Sequence, residues 1–392
     1  MDFTFSESEE RLRDELRVFL QETLGEDHDA GGSELSDDDF DFSQQFNRRL
    51  AERGWIAPAW PKPYGGLGAS YIEQLIFSEE LAYAGAPGGG RVFGVGMLGP
   101  TLIVHGTEEQ KAQHLPGITS GQVLWCQGYS EPGAGSDLAS LQTKAVRDAD
   151  DYLINGQKIW TTQAHLAQWM FVLARTDQEA PKHRGISFFL LDMKTPGISV
   201  QPLINMAGRH EFNQVFFQDV RVPAKNLVGG EHRGWYVAMT LLDFERSSVG
   251  SIASNRRVLE QLAAFAKETR QNGSSLLDVP WIRNTLAELW VETDVSRWLS
   301  YRVAAMQQAG RMPNYEASIV KVFATEAAQH VYNFGTKMLG LYGSLTEDSK
   351  WARLQGRMAS GYLSSVAPTI YSGSNEIQRN IIATRGLGLP RD

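Results

Sequence analysis

Of 392 residues only one is cysteine, Cys126. A lone thiol excludes an intrachain disulfide framework and suits a reducing compartment. No stretch approaches the roughly 18 apolar residues of a membrane span. The start, Met1-Asp2-Phe3-Thr4, has no basic stretch leading into an apolar one, so no signal peptide is expected. Basic residues are in deficit, with 37 Lys and Arg against 46 Asp and Glu and a formal net charge of -9. That balance argues against a general nucleic-acid role, because neutralising phosphates needs a basic surface. Internal repeats and low-complexity tracts are also missing, and no metal site is expected. What is left is an ordinary globular balance, 42% hydrophobic and 21% charged, with chain enough for two or three domains. The expectation is a soluble cytoplasmic protein with no membrane or nucleic-acid partner.

The pattern of apolar residues changes twice along the chain. In the first part, Ser6-Glu7-Ser8-Glu9 is a capping box followed by Leu12, Leu16, Phe19 and Leu20 at helical spacing. A second helix carries Phe42, Phe46 and Leu50 and stops at Gly54. Trp60-Pro61-Lys62-Pro63-Tyr64-Gly65-Gly66 breaks the period. Ser70 to Glu73 and Thr107 to Gln110 open further helices. The middle part holds short runs of strand character: Val123 to Cys126, Met170 to Ala174, Ile186 to Leu191, Ile198 to Leu203 and Val215 to Phe217. Tyr152 to Trp160 carries Asn155-Gly156 between strand-like residues, which reads as a hairpin turn. From Gly234 the helical period returns, over about 235–270, 280–309, 315–338, 349–363 and 375–384. The expected fold is α+β: an N-terminal α-helical domain over 1–120, a central antiparallel β-sandwich or barrel over 121–232, and a C-terminal four-helix bundle over 233–392.

Three stretches carry chemistry. Gly128 to Asp137 follows a strand and is dense in glycine and small hydroxyls, so backbone N–H groups can approach an electron-rich ring or a phosphate. This loop fits neither the G-x-G-x-x-G nor the P-loop pattern. Trp160-Thr161-Thr162 sets an aromatic face beside two hydroxyls, although a Trp at a strand end is more often core. In Leu241-Leu242-Asp243-Phe244-Glu245-Arg246, the helical neighbours of Glu245 are Leu241, Leu242, Ser248 and Val249. Asp243 and Arg246 can pair with each other. Glu245 is then a surface residue, a carboxylate paired from elsewhere, or a base.

Together these residues resemble the acyl-CoA dehydrogenase family along essentially the whole chain. Tyr129 to Asp137 resembles the family's flavin loop, and Asn155 to Thr162 its second flavin segment. Val220 to Gly229 resembles the connection into the bundle, and Tyr371 to Arg379 the C-terminal motif. The resemblance implies non-covalent FAD between the β-domain and the bundle, with an acyl-CoA thioester against the flavin ring. Gln127, Gly128, Tyr129, Ser130, Ser136, Trp160, Thr161, Thr162, Ser374, Asn375 and Glu376 would contact the cofactor. Ser136, Asp243, Arg246 and Gly373 would contact the CoA ester. The reaction implied is α,β-desaturation: a carboxylate base takes the α-proton, the β-hydride passes to the flavin, and an electron-transfer flavoprotein accepts the electrons.

Two departures sharpen the resemblance. Most of the family places its catalytic Glu where this chain has Ser372, and a serine with nothing to activate it is no base. A minority places it on the first bundle helix, where Glu245 falls, so Glu245 is the expected base. Thr269 and Asn272 stand where family homotetramers use Arg and Phe against a neighbour's FAD, and Lys337 and Leu341 replace a Gln and a Gly. These changes resemble the catalytic subunits of actinobacterial heterotetrameric acyl-CoA dehydrogenases that act on steroid side-chain CoA esters. They imply an α2β2 tetramer with a second dehydrogenase-like subunit, a homotetramer being the alternative. Other functions on the same fold are a non-catalytic FAD-binding subunit, a flavin oxidase or monooxygenase, and a DNA-associated alkylation-response protein.

Overall fold

The computed structural model describes residues 4–25, 37–88, 90–243 and 249–390. In chain order the α-helices are α1 Glu7–Leu24, α2 Asp37–Glu52, α3 Tyr71–Tyr83, α4 Gly99–His105, α5 Glu108–Thr119, α6 Gly234–Asp243, α7 Val249–Glu268, α8 Pro280–Gln308, α9 Tyr315–Leu339, α10 Arg357–Ser364 and α11 Asn375–Ile381. The strands of the large sheet are β1 Trp125–Gly128, β2 Lys144–Asp148, β3 Asp151–Lys158, β4 Trp169–Arg175, β5 Ile186–Asp192, β6 Ile198–Ile204, β7 His210–Pro223 and β8 Leu227–Val228. They form two compact units. One gathers the described parts of Met1–Gly32, Ala69–Ala86 and Arg246–Asp392, and the other those of Ser33–Gly68 and Pro87–Glu245. The first 120 residues therefore do not stay together: α1 and α3 join the C-terminal helices, while α2, α4 and α5 join the sheet.

In the sheet unit the strand order is β6-β7-β3-β2-β4-β5-β8, with β1 paired to β4. Pairings are antiparallel except that β1 runs parallel to β4, and β2 meets β4 in parallel at Lys144 and Arg175. Alternation along the strands buries Ile154, Met170, Val172, Phe189, Val215 and Val220 in one core. Cys126 lies in β1, wholly buried, and burial pushes its thiol pKa up.

One sequence expectation fails here. Asn155-Gly156 is not a hairpin turn but lies inside β3, and the β2–β3 turn falls at Asp148 to Asp151. Gly156 has φ 145 and sits where the register with β7 shifts between Ile154 and Gly156. The dipeptide builds a β-bulge. Asn155 closes it, donating from Nδ2 to Asp219 Oδ1 (3.0 Å) and accepting the Asp219 N–H at Oδ1 (2.9 Å).

In the helical unit Leu259, Leu262, Ile282, Leu289, Val331 and Phe334 form the core among α7, α8 and α9. Helix α1 is fastened by charge. Arg13 Nη2 donates to Glu79 Oε2 (3.2 Å) and Arg17 Nε to Glu80 Oε2 (2.9 Å). Arg297 Nε donates to Glu79 Oε1 (2.6 Å), and the Tyr301 hydroxyl to Glu79 Oε2 (2.5 Å). The capping boxes at Ser6, Ser70 and Thr107 form as expected. The helix expected over 349–363 is shorter, because Leu354 (φ 49) and Gln355 (φ 54) break it before α10 begins. Of the expected helix over 235–270, α6 and α7 are seen, and 244–248 lie outside the described residues. Among the described residues no helix is long and apolar enough to cross a membrane.

Candidate active site

Strand β1 delivers Gln127 and Gly128, and the chain then turns through Tyr129 and Ser130. Met170 and Val172 pack against Gly128, so a Cβ there would sit 2.7 Å from the Met170 sulfur. The Tyr129 ring is buried edge-on to Phe171, with centroids 5.7 Å apart. Ser130 accepts the Ile159 N–H at its carbonyl (2.9 Å), which joins the first motif to the second. Glu131 and Ala134 exchange two backbone hydrogen bonds (2.9 and 3.0 Å), closing a tight turn that carries the chain to exposed Ser136. Around Gly133 and Gly135 there is open space.

The second motif leaves β3 through a left-handed residue, Trp160 at φ 59, whose ring stays 58% exposed and meets Phe212 edge-on at 5.9 Å. Thr161 exchanges two backbone bonds with Asn213 of β7, both 3.0 Å, and also accepts from Asn213 Nδ2 (3.1 Å). Asn213 is wholly buried; its Nδ2 also lies 3.0 Å from His165 Nδ1 and its Oδ1 2.8 Å from His210 Nε2. The two imidazoles stack at 4.0 Å. Thr161 Oγ1 is buried without a hydrogen-bond partner.

Beneath both motifs lies a buried ion pair. Lys158 Nζ donates to Glu131 Oε1 (2.8 Å) and to the Tyr129 carbonyl (3.0 Å). Glu131 also accepts the N–H groups of Gln142 (2.6 Å) and Thr143 (2.9 Å). Burial pulls the Lys158 pKa down to about 8 against the pull of Glu131. Burial pushes Glu131 up, but the Lys158 charge and these hydrogen bonds prevail and hold it below its ordinary value.

In the helical unit the C-terminal motif makes a strained turn. Ser372 has φ 53 and Gly373 φ 79, and Gln378 Nε2 donates to both carbonyls (3.2 and 3.4 Å). The positive φ favours glycine at 373, and a Cβ there would also push the Gln378 amide, 2.5 Å away, off its two carbonyls. Ser374 caps α11 by accepting the Ile377 N–H (3.4 Å). Glu376 sits in the first turn, where its own backbone N–H and the Ser374 hydroxyl lower its pKa. The Asn375 side chain is spent inside the unit: Oδ1 accepts from Lys321 Nζ (2.8 Å), and Nδ2 donates to Glu326 Oε1 (3.1 Å) and Thr325 Oγ1 (3.2 Å). Burial lowers the Lys321 pKa to about 8. Glu245 and Arg246 lie outside the described residues, and Asp243 is described only as the backbone end of α6.

The structure thus brings Gln127 to Ser130 together with Trp160 and Thr161, and orders Gly373 to Glu376 at a helix start. An exposed indole face, the orphaned Thr161 hydroxyl and a glycine-rich loop fit a planar, polar heterocycle such as a flavin. Sequence reasoning missed Glu131, Lys158 and Asn213. The first two lie inside the quoted motifs, but nothing in their spacing told that they pair across a sheet.

Family models described as the N-terminal, middle and C-terminal domains of acyl-CoA dehydrogenase match residues 6–122, 126–220 and 232–387. The chain belongs to the acyl-CoA dehydrogenase family of flavoprotein oxidoreductases. It is 40% identical to acyl-CoA dehydrogenase IpdE1 of Mycobacterium tuberculosis over 392 residues, covering 98% of each chain. Among solved structures it is similar to the ChsE4-ChsE5 complex of Mycobacterium tuberculosis, with TM-score 0.90, 35% identity and full coverage of both chains. It is also similar to the Tcur3481-Tcur3483 steroid ACAD, with TM-score 0.89, 34% identity and full coverage of both chains.

Proposed function

We propose that this chain is the catalytic subunit of a cytoplasmic FAD-dependent acyl-CoA dehydrogenase that introduces an α,β double bond into a bulky, steroid side-chain-type acyl-CoA. The joining of the two flavin-type motifs through Ser130, Ile159, Glu131 and Lys158, beside exposed Trp160, is the observation that carries this reading. FAD, when bound, supplies the acceptor for the β-hydride. Ser130, Trp160, Thr161 and Thr162 hold it, with Gln127, Gly128, Tyr129, Ser374, Asn375 and Glu376 shaping its surroundings; the role of Asn375 is to brace the start of α11. Ser136, Asp243, Arg246 and the Gly373 backbone orient the thioester. Glu245 takes the α-proton, and an electron-transfer flavoprotein accepts the electrons.

Support for the substrate and the assembly comes from two sides. The solved relatives named above are two-component complexes, one of them called a steroid ACAD. In this chain Thr269, Asn272, Lys337 and Leu341 replace the residues with which homotetramers hold a neighbour's FAD, and Leu341 is 90% exposed. The assembly proposed is α2β2, with a second dehydrogenase-like subunit; a homotetramer is the competing assembly. Co-expression with such a subunit, scoring FAD per tetramer and turnover of a panel of CoA esters, tests it. Full FAD occupancy in this chain alone would sink the heteromer.

Ser372 favours one other reading, a non-catalytic FAD-binding subunit. It sits on the φ 53 turn, and among the described residues no group is bonded to its hydroxyl that could activate it. Glu245→Gln discriminates. Turnover should fall 10²- to 10⁴-fold while FAD content is retained, as expected on losing a general base. Unchanged turnover would show that Glu245 is not the base.

A further inference from the structure

The Glu131–Lys158 pair is wholly inside the sheet unit, and its burial poses a question of purpose. A buried ion pair often gives no more stability than a well-packed apolar pair of the same volume, since desolvation offsets the attraction. Stability alone does not account for it. Its hydrogen bonds run mainly to backbone and to the pair itself. Lys158 binds the Tyr129 carbonyl, and Glu131 binds the N–H groups of Gln142 and Thr143, just before β2. Thr143 Oγ1 adds a bond to the Gln157 carbonyl (3.1 Å). Three strand ends, those of β1, β2 and β3, thereby meet at one point.

The consequence falls on a single peptide. In a trans peptide C=O and N–H point to opposite sides. With the Tyr129 carbonyl bonded to Lys158 Nζ, the Ser130 N–H points away from that ammonium, and among the described residues it has no hydrogen-bond acceptor. The next carbonyl, that of Ser130, is held by the Ile159 N–H. Both carbonyls of the turn are thus engaged, the first by the Lys158 ammonium and the second by the Ile159 N–H, and the Ser130 N–H is left as a donor.

We infer that Glu131 and Lys158 are positioning residues for the flavin, setting the Tyr129–Ser130 peptide so that the Ser130 N–H is presented to an electron-rich edge of the ring. This rests on the FAD reading above. The pair touches neither substrate nor cofactor and acts through the backbone it holds.

The test compares wild type with E131Q/K158M, which removes both charges at nearly constant volume, and with Glu131→Asp, which keeps the charge but shortens its reach by one methylene. The protein is used alone and with a co-expressed second dehydrogenase-like subunit. The measurements are the FAD dissociation constant, the positions of the visible flavin bands, and the thermal midpoint before FAD is added. The double variant should keep that midpoint within a few degrees, weaken FAD binding about tenfold or more, and shift the flavin bands. Wild-type affinity and bands in the double variant overturn the inference. Should the double variant fail to fold, Glu131→Asp decides: weakened FAD binding with shifted bands supports it, and wild-type binding overturns it. If wild type takes up no FAD in either assembly, the flavin reading itself falls, and the inference with it.

Discussion

A side chain at Gly156 would need space that Thr143 already fills, 2.7 Å from the Thr143 Cα, on a backbone held at φ 145. Gly156→Ala should therefore cost about 2–4 kcal/mol and lower the thermal midpoint by several degrees, which calorimetry would read. The same residue shows why the turn was misplaced from sequence. Asn-Gly supplies positive φ to a hairpin and to a bulge alike, and the partner that decides between them, Asp219, lies 64 residues away. A second residue-scale prediction concerns His114, edge-on to Trp125 (5.2 Å) and Trp169 (4.7 Å) with Nε2 unpartnered. Burial lowers its pKa to about 4, from 6.5. Because the folded state resists protonation, its contribution is fully present above pH 6.5. It is lost as pH falls toward 4 and then levels off, by roughly 3 kcal/mol at most. In urea titrations across that window, His114→Phe should flatten the acid loss; an unchanged slope would assign it elsewhere.

Helices were legible where local chemistry alone fixes them. Ser6, Ser70 and Thr107 announce their helices by reciprocal capping, and each box forms. The stretch before α10 was not legible, because Leu354 and Gln355 take left-handed φ together with Gly356, and a lone Gly marks one such residue, not three in a row. Helix α3 offers a graded test. Ser70→Ala removes the cap at its start and should cost about 1 kcal/mol in denaturant melts. Arg297→Met removes one of two cations from buried Glu79 near its other end and should cost more, about 2–3 kcal/mol, Arg13 remaining as the second partner. Equal effects would mean that the ionic fastening of α1, α3 and α8 is solvent-screened.

On the scale of the molecule, the sequence separates helical from strand-rich regions correctly but does not say which helices share a core. That depends on contacts across long loops: α1 and α3 pack with helices more than 160 residues later, and no periodicity reports it. The flavin-type motifs were legible because each is a short, local run. The pair that fastens them was not, since Glu131 and Lys158 meet only once the sheet has formed. One residue makes the integrity of that sheet directly measurable. Cys126 is the chain's single thiol, sealed in β1 beneath the site and held protonated by its surroundings. A thiol-specific reagent can reach it only when the sheet opens, so its labelling rate is a clock for that opening, one signal per chain without any engineered probe. Added FAD should slow the clock if the cofactor braces the sheet, and leave its rate unchanged if it does not.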